Sequence, residues 1–329
     1  MRIGLTFDLK SEYLKEGYSL EETAEFDRDS TIEGIENALQ SLGYATDRIG
    51  HVRQLAGRLV KGDRWDLVFN ISEGLHGIGR EAQVPCLLDA YNIPYTFSDP
   101  MVLSLTLHKG MTKRVIRDAG LNTPAFFVVQ TEADILNDNL EFPLFIKPVA
   151  EGTGKGISGR SRVNSSQKLH AVCREMLRQY PGGLLVEEFL PGREFTVGIT
   201  GTGTKSRSVG IMEIVYEKDS ASGIYSLETK ANYEELVSYS VPEDTVRDAC
   251  TDLAIQAWNI LGCRDGGRVD IRYDRHGKPS FIEVNPLAGL DVVHSDLPIL
   301  AYRNGYTYEQ LIGEIMDSAL ERNNRHPGS

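Results

Sequence analysis

The first hundred residues alternate between apolar runs and amphipathic stretches, in the pattern of a parallel α/β unit. The run IGLTF, beginning at Ile3, is typical of a buried strand. The following stretch DSTIEGIENALQSLGY has helical spacing, with a Ser/Thr cap region at its start and Gly43 at its stop. Its apolar residues share one helical face: Ile32, Ile35, Leu39 and Leu42.

Two further strands are predicted in this region, DLVFNIS (residues 66–72) and, after a helix around 83–91, IPYTFS (residues 93–98). Strands separated by helices predict a parallel sheet, whose ligands bind at the carboxyl ends of the strands. The segment SEGLHGIGRE directly follows DLVFNIS and therefore occupies such an end.

The remainder of the chain divides into two mixed segments. The first has a helix around 109–119, the strands AFFVV and PLFIKPV, and an amphipathic helix over 166–180. The second has the strands LLVEEFL, EFTVGIT and VGIMEIVY, the pair GRVDIRYD and PSFIEVNP joined by the turn RHGK, and a last helix, YTYEQLIGEIMDSAL. We therefore expect an N-terminal domain over 1–98, a central lobe over 99–185 and a C-terminal lobe over 186–329.

Charge and composition exclude several classes of protein. The chain has 35 basic and 47 acidic residues, a net charge of −12, which argues against a nucleic-acid surface. No window approaches the length of a membrane span, and the start MRIGLTFDLK lacks the apolar core of a signal peptide. The four cysteines are widely separated, without metal-ligand spacing. These features indicate a cytoplasmic protein with reduced thiols and no membrane partner.

The stretch KPVAEGTGKGIS, over 147–158, is rich in glycine and follows the apolar run FPLFI. It is not a Walker A loop, because Gly154 and Lys155 are followed by Gly156 and the first glycine of that motif is replaced by Val149. A second candidate, GITGTGTKS, fails as well, since Thr204 separates its glycine from its lysine. Glycines with flanking lysines still suit an anion. A plain glycine turn between strands remains the alternative.

The pair GRVDIRYD and PSFIEVNP carries the strongest chemical signal. Glu283 and Asn285 are two residues apart on one strand and so point to the same face, as do Arg268 and Asp270 on the other. Two carboxylates and an amide oxygen on one face favour a hard cation such as magnesium, with the arginine as a donor for anionic oxygens. The alternative is a salt-bridged surface hairpin.

Five ordered motifs together resemble the ATP-grasp superfamily, and within it the D-alanine–D-alanine ligases. From His76 to the last helix, the similar stretches are HGIGREAQVPCLLDAYNIPYTFSDP, LHKGMTK, KPVAEGTGKGI, VEEFLPGREFTV, and GGRVDIRYD with FIEVNPLAGL. The resemblance implies an α/β protein with the ATP-grasp fold, in which an N-terminal parallel α/β domain is joined to two α+β lobes that clasp ATP.

The resemblance also implies roles for individual residues. ATP would be bound by Lys109, Lys147, Glu151, Gly152, Thr153, Gly154, Gly156, Ile157, Glu187, Phe189, Leu190, Glu194 and Lys230. Within this set, residues 151–157 would form a phosphate lid and 187–190 the adenine pocket. Two magnesium ions, for which manganese can substitute, would be held by Asp270, Glu283 and Asn285. Catalytic and substrate-side positions would be Arg268, Gly289, Lys230, His76, Ser295 and Thr153.

The implied activity is that of an ADP-forming carboxylate–amine ligase, which makes a dipeptide or related amide bond through an acyl phosphate. Its partners would be small amino acid or peptide substrates, without nucleic acid, and the resemblance implies a homodimer. The alternatives are a ligase for a different amino acid, peptide or carboxylate in a biosynthetic pathway, and an ATP-binding module without turnover. A kinase is a weaker alternative.

The chain departs from the family pattern around the first substrate. The glycine-rich N-terminal turn that ends in an ammonium-binding Glu is absent, although Glu12, Glu16 and Glu25 are candidate acids. The Tyr expected after the loop lysine is Ala231, and the two serines of the lid motif are replaced by a threonine and a glycine. The acidic segment between Phe7 and Ser30 is predicted to be a surface loop. The chemistry therefore transfers more firmly than the substrate.

Overall fold

The computed structural model describes residues 1–135, 140–216 and 237–324. Its N-terminal part is built on a parallel sheet. In this sheet β1 (Arg2–Thr6) lies between β2 (Ala45–Gly50) and β3 (Leu67–Asn70). The helices of this part are α1 (Lys10–Lys15), α2 (Asp29–Ser41), α3 (Val52–Val60) and α4 (Gln83–Ala90), and a single 3₁₀ turn covers Arg80–Ala82. The parallel α/β unit expected from the sequence is confirmed.

The structure of helix α2 confirms part of the helical pattern predicted from the sequence. Ile32, Ile35 and Leu39 are buried as expected, but Leu42 lies beyond the last helical residue and is exposed. The Ser/Thr cap was wrong, because the N-cap is Arg28 and has no side-chain cap bond. The hydroxyl of Thr31 instead donates to Asp291 Oδ2 at 3.1 Å, which ties α2 to the C-terminal part.

The predicted strand IPYTFS is reduced to an isolated parallel bridge between Tyr95 and Val68. Two local features explain the difference. Pro94 has no N–H to donate to a ladder, and Phe97 has a φ of 70°, which ends the extended path. The N–H of Phe97 donates to the buried Asp265 at 2.8 Å instead.

The central sheet is antiparallel, in the order β4 (Phe126–Val129), β7 (Leu184–Glu188), β5 (Leu144–Pro148), β6 (Arg162–Val163). Helix α7 (Ser166–Gln179) covers one face of it with Leu169, Cys173 and Met176. The remaining helices of this part are α5 (Pro100–Leu107) and α6 (Lys109–Asp118).

The C-terminal sheet is also antiparallel, and its strands are β8 (Glu194–Thr200), β9 (Arg207–Tyr216), β10 (Val237–Ser240), β11 (Gly266–Tyr273) and β12 (Pro279–Asn285). Their spatial order is β10, β9, β8, β11, β12. Helix α8 (Asp244–Leu261) packs on this sheet through Trp258. Helices α9 (Asp296–Arg303) and α10 (Tyr308–Asn324) share a core with β1 and α2.

Helix α6 connects the two antiparallel sheets. From this helix Lys113 forms an ion pair with Glu187 of β7 and donates to the carbonyl of Phe281 in β12. The two sheets are therefore fixed on either side of one helix, with a cleft between them. Among the described residues, no helix is long and apolar enough to cross a membrane.

Candidate functional site

The carboxylates of Asp270 and Glu283 are opposed across the β11–β12 hairpin. These two residues are direct partners in the antiparallel register, and so are Arg268 and Asn285. The alternation of side chains along each strand places all four on one face, as predicted from the sequence. The face lies in the cleft, because Arg268 and Glu283 line both of the cavities described below.

Asp270 is surrounded by hydrogen-bond donors. Arg268 Nη1 lies 2.7 and 2.6 Å from its two carboxylate oxygens, Thr196 Oγ1 donates at 2.9 Å, and Asn285 Nδ2 donates at 3.3 Å. Burial nevertheless raises the pKa of Asp270 to about 6, because desolvation outweighs the charge of Arg268, and Glu283 adds repulsion. The carboxylate therefore lies where additional positive charge would be stabilising.

Glu283 has the opposite balance. Its Oε2 lies 3.8 Å from Lys109 Nζ and 4.0 Å from Lys147 Nζ. Desolvation raises its pKa, but these two lysines outweigh that effect and lower it to about 2. Glu283 is thus ionised throughout the physiological range, at the centre of a group of cations.

A buried ion triad lies directly behind Glu283. Glu187 forms ion pairs with Lys113 and with Lys147, each with an N–O distance of 2.8 Å, and Lys113 is fully buried. Burial lowers the pKa of Lys113 to about 8, although Glu187 opposes the shift. Desolvation also opposes the charged forms of Glu187 and Lys147, but their mutual attraction prevails, so the pKa of Glu187 is lowered and that of Lys147 is raised.

A cavity of about 120 Å³, the hinge cavity, opens between the two antiparallel sheets. Phe189 forms one wall, and the guanidinium groups of Arg162 and Arg272 lie over its ring, 4.3 and 5.0 Å from the centroid. The hinge cavity brings together these predicted nucleotide residues: Thr153, Gly154, Ile157, Glu187, Phe189, Leu190 and Glu194. Its lining combines apolar and aromatic side chains with charged ones, which suits a flat heterocycle carrying polar substituents.

The glycine-rich loop 151–157 lies at one end of the hinge cavity. Thr153 and Gly154 have φ values of 54° and 71°, so two successive residues adopt the left-handed conformation. The N–H groups of Lys155 and Ile157 bond back to carbonyls within the loop. Lys109 Nζ fixes the loop from below by donating to the carbonyl of Glu151 at 2.6 Å. Gly156 packs under Tyr180 and Pro148 rather than lining a cavity.

A second cavity of about 230 Å³, the acidic cavity, lies on the other side of the same cleft. Its walls come from the N-terminal segment, from the 3₁₀ turn and from the loop after β12. The ionisable residues in its lining are Glu25, Asp27, Arg28, Glu73, Glu81, Lys109, Arg268, Glu283, Asp291 and His294. Burial raises the pKa of Glu73 well above its usual value and that of Glu81 to about 7. Carboxyl groups therefore dominate this cavity.

The other predicted substrate-side residues differ in their placement. Gly289 and Ser295 line the acidic cavity, and Ser295 Oγ accepts from the N–H of Asp291 at 2.9 Å. His76 is exposed, with its ring 6.3 Å from that of Tyr18, and lies outside the lining of both cavities. Lys230 falls outside the described residues.

The N-terminal segment is not the surface loop predicted from its charge. Glu25 accepts from the N–H of Gly152 at 2.6 Å and pairs with Arg80 at 2.9 Å. Burial and the neighbouring Asp8 raise the pKa of Asp27 well above its usual value. The charge pattern predicted that these acidic residues would be solvated. This prediction is wrong because the N-terminal segment folds back against the glycine-rich loop and Arg80.

Sequence reasoning missed three residues of this site. Lys113 was quoted in the motif LHKGMTK, and its position four residues after Lys109 on one helix was the available signal. Arg80 and Arg272 were not singled out. Arg272 donates to Glu194 at 3.1 Å, and its two-residue spacing from Asp270 on β11 would have placed it on the same face.

A comparison with family models matches residues 115–317 to the D-ala D-ala ligase C-terminus. This range covers the end of α6, both antiparallel sheets and most of α10. It therefore contains Asp270, Glu283 and the glycine-rich loop, and it leaves out the N-terminal segment.

Relatives in sequence extend the similarity. A D-alanine–D-alanine ligase of Bordetella petrii is 34% identical over 251 residues, 74% of each chain. A D-alanine–D-alanine ligase of Aquifex aeolicus is 30% identical over 289 residues, 87% of this chain and 93% of that one. The uncharacterized protein y4sG of Sinorhizobium fredii is 30% identical over 263 residues, 78% of this chain and 75% of that one.

Solved structures share the fold over nearly the whole chain. A D-alanine–D-alanine ligase of Bacillus anthracis, complexed with ATP, has a TM-score of 0.74 at 21% identity and covers 99% of both chains. The VanG D-Ala:D-Ser ligase of Enterococcus faecalis has a TM-score of 0.74 at 19% identity, covering 97% of this chain and 99% of that one. The ATP-grasp fold expected from the sequence is thereby confirmed.

Proposed function

This chain belongs to the D-alanine–D-alanine ligase family of ATP-dependent ligases, and from that membership we propose that it joins a carboxylate to an amine, forming ADP and phosphate through an acyl phosphate. The observation that carries the proposal is the pair Asp270 and Glu283, opposed at the boundary of two cavities. One cavity has the shape and lining for a nucleotide, and the other for a small polar substrate.

The hinge cavity would take the adenine, with Phe189 and Leu190 against the base and Glu194 at the ribose. Lys109 and Lys147 would then lie beside the phosphates, since both are within 4.0 Å of Glu283 Oε2 at the cavity floor. The N–H groups of Thr153 and Gly154 would serve as lid donors, because both residues line the hinge cavity and the structure gives the N–H groups of Gly152, Lys155 and Ile157 to other acceptors.

The donor set at the hairpin fits magnesium. Two opposed carboxylates and an amide oxygen are hard ligands. Desolvation keeps the pKa of Asp270 raised even though Arg268 pairs with it, so a cation would stabilise its ionised form. The described residues include no group of three or more His, Cys, Asp or Glu side chains that could hold a metal ion. That agrees with a site whose remaining ligands are phosphate oxygens. Asp270, Glu283 and Asn285 would hold the ion, which would supply charge neutralisation.

The protein's own residues would then act mainly by position and charge. The lysines and the lid N–H groups would orient the terminal phosphate toward a carboxylate in the acidic cavity. Attack by that carboxylate breaks the terminal phosphoanhydride bond and releases ADP, which gives an acyl phosphate. Arg268 and the N–H of Gly289 would stabilise the oxyanion when an amine attacks the acyl carbon and phosphate leaves. The closed lid would exclude water from this reactive acyl group.

D-Alanine is the best single substrate, because two relatives covering most of this chain have the name D-alanine–D-alanine ligase. The alternative is a ligase for another amino acid, peptide or carboxylate. The composition of the acidic cavity supports this alternative. Eleven of the 24 residues that line this cavity, among them Glu25, Asp27 and Glu81, lie outside the range matched by the family model.

The test is phosphate release from ATP and magnesium with D- and L-amino acids, singly and in pairs, with mass spectrometry of the products. Amide formation from any acid and amine supports the ligase. D-Alanyl-D-alanine from D-alanine alone identifies the substrate, and another product identifies a specialised ligase. ADP release that needs only the acid, with a stable phosphorylated product, would make the chain a kinase. ATP binding without turnover on the whole panel would contradict the proposal. The homodimer stays a prediction, which light scattering tests.

A further inference from the structure

The N-terminal segment contacts the phosphate lid directly through Glu25, and through Tyr180 by way of Glu21. Glu21 and Glu25 are four positions apart, one helical turn in spacing. Glu25 Oε1 accepts from the N–H of Gly152 at 2.6 Å, and Glu21 Oε1 accepts from the hydroxyl of Tyr180 at 3.0 Å. Tyr180 in turn covers Gly156, where an added Cβ would lie 2.9 Å from its ring. The segment therefore contacts the start of the lid directly, and it contacts the residue that packs on Gly156.

Arg80 completes the contact at the root of the lid. Its Nη2 donates to Glu25 Oε2 at 2.9 Å, and its Nη1 donates to the carbonyl of Ala150 at 2.9 Å. The side chains of Arg80 and Glu25 are only 7% and 11% exposed. A pair at this depth is weakly screened by salt, and removing one partner leaves a buried charge without compensation.

The same segment forms a wall of the acidic cavity. Residues 24–28 line that cavity, and the carboxylate of Glu25 belongs to its lining while also bonding Gly152. A substrate in the cavity would therefore lie against the residues that hold the lid. Both oxygens of Glu25 are used by Gly152 and Arg80, so its contacts in this structure are those of a residue that positions the loop.

We propose that Glu25 and Arg80 are positioning residues that fasten the phosphate lid to the substrate-binding wall, so that the lid closes fully only over an ordered N-terminal segment. The expected effect of this contact on the reaction rests on the proposed ligase function. A loosely held lid would admit water to the acyl phosphate, and ADP would then form in excess of the amide product. The contact itself is testable without any substrate.

The first experiment is hydrogen–deuterium exchange of residues 150–158 in the full chain with magnesium and the β,γ-imido analogue of ATP. The variants are Glu25→Ala, Glu25→Gln and Arg80→Met, and Glu33→Gln is the control because Glu33 is an exposed acid of α2. We expect lid exchange to rise roughly tenfold for Glu25→Ala and Arg80→Met, the loss expected for a charge-assisted hydrogen bond. Glu25→Gln should show less, because it keeps an acceptor for Gly152. Exchange equal to the control in a variant with a normal melting curve would overturn the proposal.

The second experiment uses the acid and amine pair found by the substrate panel. Glu25→Ala and Arg80→Met should raise the KM for ATP and shift the ratio of ADP to amide above that of the control, with partial recovery in Glu25→Gln. A uniform loss of kcat at an unchanged ratio would indicate a structural role and contradict the coupling. If no pair reacts, the ligase assignment fails while the exchange experiment still decides the contact. If Glu25→Ala does not fold, Glu25→Gln, which keeps the size of the side chain and removes the charge paired with Arg80, gives the deciding exchange result.

Discussion

Asp270 and Glu283 are nearest neighbours across two strands, yet the pKa of one carboxyl is about 6 and that of the other about 2. Desolvation raises both values, but only Glu283 has Lys109 and Lys147 within about 4 Å to reverse the effect. At Asp270 desolvation prevails even though Arg268 pairs with this carboxylate, whereas at Glu283 the lysines prevail.

Replacing either carboxylate should abolish most activity without unfolding the chain. Asp270→Asn and Glu283→Gln keep the size of the side chain but remove a charge next to the phosphates, and we expect activity to fall about 10²-fold to 10³-fold. Phosphate release and thermal melting measure the two effects. Asp248→Asn, at an exposed position of α8, is the control. ATP turnover near the normal level in either variant would contradict the site assignment.

The buried triad around Glu187 should be a major source of stability. Lys113→Met removes one of the two cations that hold this carboxylate, and we expect the free energy of unfolding to fall by about 3 kcal/mol. Urea denaturation followed by circular dichroism gives this value. Arg117→Met on the same helix serves as the matched change, since Arg117 is exposed. Equal stability of the two variants would contradict this prediction and show that Lys147 alone is enough to stabilise the buried carboxylate of Glu187.

Stability should depend on pH through Glu81. Burial raises its pKa from about 4.5 to about 7, so between these values the folded chain holds a proton that the unfolded chain has lost. The contribution of Glu81 is therefore fully present below pH 4.5 and is lost as the pH rises through 7. Glu81→Gln should raise the free energy of unfolding at pH 8 by about 2 kcal/mol and leave it unchanged at pH 4.5. Denaturation at the two pH values, with Glu16→Gln alongside, checks the sign; a gain at pH 4.5 only would contradict it.

Substitutions of Thr153 should distinguish backbone strain in the lid from the chemical role of the Thr153 hydroxyl. Its φ of 54° lies in the left-handed region, which is unfavourable for a β-branched residue. Thr153→Ala removes the hydroxyl but keeps the disfavoured conformation, whereas Thr153→Gly removes both. We expect the glycine variant to be more stable than the alanine variant by about 1 kcal/mol, with both less active than the parent. Thermal melting and phosphate release give the two comparisons, and equal melting temperatures would rule out strain at this position.

The sequence predicted the elements whose patterns are local. The hairpin of β11 and β12 was read from alternation alone, which placed Arg268, Asp270, Glu283 and Asn285 on one face. The lid was recognised from its glycines and its motif. Lys113 was overlooked because its partner, Glu187, is distant in the chain and a motif does not show which lysine is buried.

The errors arose where distant parts of the chain meet. Acidity between Phe7 and Ser30 predicted a solvated loop, but Glu25 finds a countercharge in Arg80, 55 residues away. His76 was assigned by motif and lies outside both cavities, because a motif fixes a position in the chain and not the direction of a loop. Composition and periodicity contain no information about such pairings.

Thr153, Arg268 and Glu283 are the only residues shared by the linings of the two described cavities. The partition between the cavities is thus a single layer of side chains. An activated acid formed on one side would meet its amine within the same enclosure, without a tunnel, a swinging carrier arm or a second protein to convey it. The enzyme would need to control only the order in which the two cavities are filled. An acyl phosphate with a short lifetime would still reach its amine.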